Sequence, residues 1–286
     1  MVESEKEITV GFVGQGYIGK SYADVMEAAG HTVVRYALEE PYVQNKEKIQ
    51  KCDIVFVAVP TPTTPDGFDG SIVKEGIALT GESAIVVIKS TVVPGTTDSF
   101  QEAFPTRTIL FSPEFLVAKN AASDAANPER NIIGVTTDTA EAREAAETVM
   151  KLLPKAPFEL ICSAREAELV KYIGNAFLYT KVVFMNLTHD LVEKNSGDWD
   201  VVRSAVSADP RIGISHTDVV HDSGRGAGGP CFIKDFATLI EEYEKVLPQD
   251  ALGLQALRAY EQKNVQLLKD SDKDPELLAG VYGDDV

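Results

Sequence analysis

Ile8-Thr9-Val10-Gly11-Phe12-Val13 runs directly into Gly14-Gln15-Gly16-Tyr17-Ile18-Gly19. An apolar run of strand length, a glycine turn and then a helical stretch to about Gly30 form the context that a dinucleotide fingerprint requires. In that reading Gly14 permits the tight turn, Gly16 lets a pyrophosphate approach the backbone, and Gly19 lets the helix lie close to the sheet. Tyr17 and Ile18 open the helix whose N-terminus favours phosphate. Working outward, short apolar runs recur at 32–36, 53–59, 84–88, 108–111 and 131–135, separated by helical or loop segments. The alternation predicts an α/β fold with a doubly wound, mostly parallel Rossmann-type sheet.

From Ala164 the pattern changes. Residues 168–193 carry apolar side chains at helical spacing without proline, and further helices are predicted at about 198–207, 235–246 and 251–268. The expected organisation is a dinucleotide-binding domain over 1–160 and an all-helical domain over 161–286, whose acidic end frays from Asp270 onward.

The second predicted strand ends Arg35-Tyr36-Ala37-Leu38-Glu39-Glu40, with Ala37 roughly where an acidic ribose ligand is expected. Glu39 meets that need after a small register shift and favours NAD, whereas Arg35 facing a 2′-phosphate would favour NADP. At later strand ends, Pro60-Thr61-Pro62 and Ser90-Thr91 fall on the carboxyl edge of the sheet, where open α/β folds bind ligands.

A formal net charge of −17 excludes a phosphate backbone as a natural partner. Three cysteines, Cys52, Cys162 and Cys231, show neither a CxxC pair nor metal spacing, which fits reduced thiols in a cytoplasmic protein. The four histidines, at 31, 189, 216 and 221, show no ligand spacing, so no metal is expected. The chain starts with charged residues, and no run approaches the roughly 18 apolar residues of a membrane span.

Gly228-Gly229-Pro230-Cys231-Phe232-Ile233-Lys234-Asp235 carries the chemistry. A thiol attacks as thiolate and benefits from a cation or a helix N-terminus nearby; Lys234 is such a cation, and Asp235 falls one helical turn after the cysteine. Cys52 and Cys162 have no comparable neighbours and read as core or boundary residues.

Six stretches, the glycine turn among them, make the chain resemble the UDP-glucose/GDP-mannose 6-dehydrogenase family, the nucleotide-sugar dehydrogenases. They are Gly11 to Gly19, Val59-Pro60-Thr61-Pro62, Lys89 to Thr96, Ser112-Pro113-Glu114-Phe115-Leu116, Glu168 to Lys171 continuing to Asn175-Ala176-Phe177-Leu178, and Asp209 to Gly213 leading into the cysteine segment. The resemblance runs from about residue 8 to about 245. It implies NAD as cofactor and oxidation of a C6 alcohol to a carboxylate in two steps, with Cys231 capturing the aldehyde.

The same resemblance implies further roles. Lys171 and Asn175, four apart on one helix, look like the pair that stabilises oxygen charge. Asp235 resembles the residue that positions water or accepts a proton, and Glu114 with Thr91 resembles the group that orients hydrolytic water. Pro60, Thr61, Ser90, Thr91 and Lys234 are expected at the cofactor. Phe115, Leu116, Arg211 and Gly228 are expected at the substrate, with Arg211 reaching a neighbouring subunit. Arg130 reads as structural. A homodimer through the helix at 165–195 is implied and fits its apolar stripe.

Family members continue through a connecting helix into a third, nucleotide-binding domain. This sequence stops at Val286 after Leu252–Leu268, the start of such a helix, so the nucleotide half of the donor is expected to be held weakly, by another chain, or not at all. The loop 214–223 looks extended, and Ala227 and Pro230 depart from the residues usual there. Two other readings stay open: a single-step hydroxyacid or phosphogluconate-type dehydrogenase, and a catalytically silent cofactor-binding paralogue.

Overall fold

The computed structural model describes residues 8–283. In chain order the elements begin β1 (Thr9–Val13), α1 (Tyr17–Ala28), β2 (Thr32–Tyr36), α2 (Lys46–Ile49) and β3 (Ile54–Val57). A hairpin follows, β4 (Thr63–Thr64) and β5 (Gly67–Phe68), then α3 (Ser71–Ala78), β6 (Ile85–Ile88), α4 (Thr96–Ala103), β7 (Thr108–Phe111) and α5 (Ala121–Ala126). Next come β8 (Arg130–Val135), α6 (Ala140–Leu152), β9 (Phe158–Ser163) and the 31-residue α7 (Ala164–Lys194). The chain finishes with α8 (Trp199–Ser207), the hairpin β10 (Val220–His221) and β11 (Gly224–Arg225), α9 (Gly229–Val246), α10 (Ala251–Asp270) and α11 (Pro275–Tyr282).

The chain divides into two compact units. The first holds residues through Pro62 and Asp69–Lys171; the second holds Thr63–Phe68 and everything from Tyr172. In the first unit seven strands form one sheet in the order β2-β1-β3-β6-β7-β8-β9, parallel throughout except that β8 runs antiparallel to β7. Every residue of β3 is buried, as are most of β1, β6 and β7, because helices cover both faces of a parallel sheet. Phe12 and Phe56 stack at 5.0 Å within a cluster that includes Met26 from α1 and Val149 from α6. The strand register pairs Val13 with Val57, Val57 with Ile88, and Ile88 with Phe111. The strands therefore end level, and the segments that follow, from Gly14, Ala58, Lys89 and Ser112, leave one edge of the sheet. Chain order reverses at β1, which makes the β1/β3 crevice the switch point.

The second unit is helical apart from its two short hairpins. Ala176, Tyr179 and Val183 of α7 pack with Phe236 and Ile240 of α9, and Tyr179 stacks on Phe236 at 3.9 Å between centroids.

Two segments differ from what the sequence predicts. Helix α9 begins at Gly229, six residues before the predicted start. Pro230 lies in the first turn, where a missing N–H breaks no helical bond, so a sequence that reads as a turn is the helix entry. The acidic end does not fray at Asp270: Lys273 is 5% exposed and α11 packs Leu278 against Ile233 and Leu268. Burial of one cation and one apolar face holds a segment whose composition reads as solvated.

Candidate functional site

The glycine turn leaves β1 with Gly14 at φ +93°, donating its N–H to the Tyr36 carbonyl. A Cβ on Gly14 would lie 2.2 Å from the Ala58 carbonyl oxygen, so no other residue fits there. Gly16 is the N-cap of α1; it makes no side-chain cap bond, the first turn holds no acidic residue, and a Cβ on Gly16 would meet nothing within 4 Å. Beside it the buried Oε1 of Gln15 has no hydrogen-bond partner in the protein. An uncapped helix N-terminus with open space before it fits a dinucleotide pyrophosphate, whereas the Gln15 oxygen, an acceptor, calls for a donor such as a hydroxyl or an amide N–H.

Arg35 is committed elsewhere. Its guanidinium lies 2.7 Å from both Asp24 and Glu27 of α1, so it does not offer itself to a 2′-phosphate. Glu39 stands exposed beyond β2.

The neighbouring strand ends are tied together. The Ser90 hydroxyl donates to the Val59 carbonyl at 2.7 Å and accepts from the Val59 N–H at 2.9 Å. Expected at the cofactor, Ser90 is only 3% exposed and its hydroxyl shapes the edge between the ends of β3 and β6. Thr61 is buried, Pro60 is exposed and Thr91 is half-buried.

Glu114 and Lys171 meet within the first unit. The Lys171 ammonium donates to the Glu114 carbonyl oxygen at 2.8 Å and lies 3.5 Å from its carboxylate, while the other carboxylate oxygen accepts from the Leu116 N–H at 2.8 Å. Both side chains are almost fully buried, at 4% and 7% exposure. Phe115 is covered by the Arg130 guanidinium, 3.7 Å from its ring centre, which gives Arg130 a structural role.

Two residues given no role in the sequence hold this group. Glu168 is 0% exposed and accepts from the N–H groups of Gly95 and Thr97 and from the Thr97 hydroxyl. It thereby caps α4 from the first turns of α7 and fixes where Lys171, three residues on, emerges. Lys89, 2% exposed, donates to the Ser112 hydroxyl at 3.1 Å and lies 4.1 Å over the Tyr22 ring. Burial pushes its ammonium down to about 8, opposed by Glu114 and reinforced by Lys171. The signal for both was present in the motifs around them, but the burial of an ionisable group is not legible from spacing alone.

In the second unit Asp235 is 1% exposed and bound on both oxygens. Asn175 donates to Oδ2 at 2.6 Å, and the Lys234 ammonium lies 2.5 Å from Oδ1. Lys234, expected at the cofactor and as the cation for the thiol, therefore pairs with Asp235. Cys231 sits partly exposed in the first turn of α9, one turn before Asp235. Cys52 is buried with its thiol pushed up to about 11 by burial and by Asp53, and burial also raises the Cys162 thiol, with Glu166 adding to it. Arg211 is exposed and forks onto Asp209 at 2.6 Å. His216 lies half-buried with its ring 5.7 Å from that of Phe232.

Among the described residues no group of three or more His, Cys, Asp or Glu is placed to hold a metal ion, and no helix is long and apolar enough to cross a membrane.

Residues 40–153 match the UDP-glucose/GDP-mannose dehydrogenase family, NAD binding domain, and residues 165–265 match that family's central domain. A UDP-glucose 6-dehydrogenase of Haloferax volcanii is 30% identical over 85% of this chain and 68% of its own length. One from Pseudomonas aeruginosa is 34% identical over 77% of this chain and 50% of its own, so the chain spans only about half of that relative. The structure of a UDP-glucose dehydrogenase from Pyrobaculum islandicum superposes with a TM-score of 0.76 at 26% identity, covering 94% of this chain and 72% of that one. Matches to both domains in the expected order, together with a relative at this identity and coverage, establish that the chain belongs to the UDP-glucose/GDP-mannose dehydrogenase family and carries its NAD-binding domain.

Proposed function

We propose that the chain oxidises the C6 alcohol of a nucleotide sugar, of the UDP-glucose class, to the carboxylate in two steps through a covalent bond to Cys231. The observation that carries this reading is the placement of Cys231 on the first turn of α9, one turn ahead of a buried Asp235 that Asn175 and Lys234 hold. A single-step dehydrogenase leaves the cysteine at that place unexplained.

NAD, held at the glycine turn, supplies the acceptor for both hydrides, one molecule for each. The alcohol loses hydride and its hydroxyl proton to become an aldehyde. The Cys231 sulfur then bonds to the carbonyl carbon, its proton passing to the oxygen, and a thiohemiacetal results. Loss of a second hydride and of the hemiacetal proton leaves a thioester. Water adds, the carbon–sulfur bond breaks, and carboxylate and thiol are released. Covalent capture keeps the aldehyde from escaping between the two oxidations.

Each polar group has a task in this sequence. An ammonium has three N–H donors; two of those on Lys171 face Glu114, and the third serves the oxygen on C6. Asn175 adds a second donor there, so charge that develops on that oxygen meets preset dipoles. Asp235 takes the proton that leaves near the thiol, and Glu114 with Thr91 orients the hydrolytic water. Phe115, Leu116 and Gly228 border the sugar.

The active form in this reading is a homodimer in which Arg211 serves the neighbouring copy's substrate. Its support is the outer face of α7, where Ile173, Phe177, Phe184, Leu187 and Leu191 are 43–65% exposed, with Thr180 completing a three-four spacing. That is the seam by which two helices pair.

A panel of nucleotide sugars with NAD and NADP, followed for reduced cofactor and acid together, tests the proposal. Two NADH per acid are expected, with Cys231→Ala slowed at least a thousandfold in acid formation. One NADH per turnover with a fully active Cys231→Ala would instead identify a single-step hydroxyacid-type dehydrogenase, and cofactor binding without turnover a silent paralogue.

A further inference from the structure

The family's central domain match ends at residue 265, and the chain beyond it folds back onto the loop that leads to Cys231. That loop, 224–229, contains four glycines and so has little conformational preference of its own. Side chains from α10 and the segment after it supply what it lacks. The buried Lys273 ammonium donates to the carbonyls of His221, Gly224 and Gly226 at 3.0, 3.3 and 3.1 Å. The Ser271 hydroxyl accepts from the Arg225 N–H at 3.0 Å. Asn264 brackets Ala227, accepting from its N–H at 2.7 Å and donating to its carbonyl at 3.0 Å. Last, Asp274 accepts from the Gly229 N–H at 2.7 Å, at the first residue of α9.

Gly228 is shaped to this contact. A Cβ there would lie 2.2 Å from the Asp274 carboxylate and 2.6 Å from the Lys273 side chain. On the side where a Cβ would point, Gly228, a residue expected at the substrate, makes room for the returning segment. Helix α11 anchors that segment, with Leu278 packed against Ile233, two residues after the cysteine.

We propose that Asp274, with Lys273 beside it, is a positioning residue for Cys231: it fixes the entry of α9 and with it the place of the sulfur. The catalytic part of this inference rests on the function proposed above; the structural part does not. Asp274→Ala removes the acceptor, and Asp274→Asn keeps one oxygen in place without the charge.

In the full chain, hydrogen exchange over 222–232 should speed up at least tenfold in Asp274→Ala, remain within threefold of wild type in Asp274→Asn, and stay unchanged over α7 in both. Acid formation should fall at least tenfold in kcat for Asp274→Ala, with KM for NAD within twofold, and Asp274→Asn should recover most of it. Alkylation of Cys231 by iodoacetamide, read by mass spectrometry, should be at least threefold faster in Asp274→Ala. If Asp274→Ala does not fold, Lys273→Met carries the same comparison. Unchanged exchange over 222–232, acceleration spread equally over α7 and α10, or full kcat in a loosened loop each overturns the proposal. A wild-type chain that forms no acid sinks the proposed function alone, since exchange and alkylation still decide whether Asp274 holds the cysteine turn.

Discussion

Asn175 donates its side-chain amide to Asp235 at 2.6 Å, across 60 residues of sequence, and Asp235 is 1% exposed. A carboxylate so buried depends on its donors, since leaving one oxygen unpaired costs about 1–3 kcal/mol. The two residues therefore act as one polar unit, with Lys234 on the far oxygen.

Asn175→Ala should lose about 1–3 kcal/mol of stability in denaturant unfolding and lower kcat at least a hundredfold. Asn175→Asp is the sharper probe, because it sets two carboxylates at hydrogen-bond distance where only one can comfortably be ionised. Its stability deficit relative to wild type should be larger at pH 8 than at pH 5. A deficit that does not vary between those values would mean that position 175 does not face Asp235 in solution.

Helix α7 is apolar on two faces in the second unit. Tyr172, Ala176, Tyr179 and Val183 are buried, while Ile173, Phe177, Phe184, Leu187 and Leu191 are exposed. The stripes are one residue out of phase, which places them about 100° apart around the helix. The inner stripe is satisfied within the unit and the outer one has the pattern of a helix pair. Phe177→Glu combined with Phe184→Glu should convert a particle of two chains into one of a single chain in sedimentation equilibrium, with little change in helical circular dichroism. A wild-type chain that sediments as a monomer at micromolar concentration contradicts the dimer directly.

The sheet was legible because strands buried on both faces read as continuous apolar runs: Ile54–Val57, Ile85–Ile88 and Thr108–Phe111 hold almost nothing else. Strand β9 is not legible in the sequence because it lies at the sheet edge, where Phe158-Glu159-Leu160 mixes exposed apolar and charged residues. The chemical residues were legible as types in motifs, yet their partners were not. Nothing in the motif around Lys234 says that its ammonium pairs with Asp235, and nothing near Lys273, set among aspartates, says that it lies under three backbone carbonyls. The first pairing joins sequence neighbours whose rotamers only packing decides, the second joins segments 47 to 52 residues apart, and local pattern fixes neither. The start of α9 is ambiguous in the sequence for a local reason: glycine and proline mark helix entries as well as turns.

Lys89 gives a prediction from charge alone. Its ammonium is fully enclosed and burial lowers it from 10.5 to about 8. At neutral pH the residue is charged both folded and unfolded, and the folded chain bears the whole cost of desolvating it. Between about pH 8 and 10.5 the unfolded chain retains a proton that the folded chain has released, so the contribution of Lys89 to stability rises with pH across that window. The difference corresponds to about 3 kcal/mol. Lys89→Met, which keeps the length and removes the charge, should be more stable than wild type at pH 7, and that advantage should shrink steadily as pH is raised to 10. Urea unfolding of both proteins at pH 7, 8, 9 and 10 measures it. An advantage that holds constant over the range would show that the ammonium is solvated or fully compensated by Glu114, which lies on the same side of the sheet edge through Ser112 and Lys171.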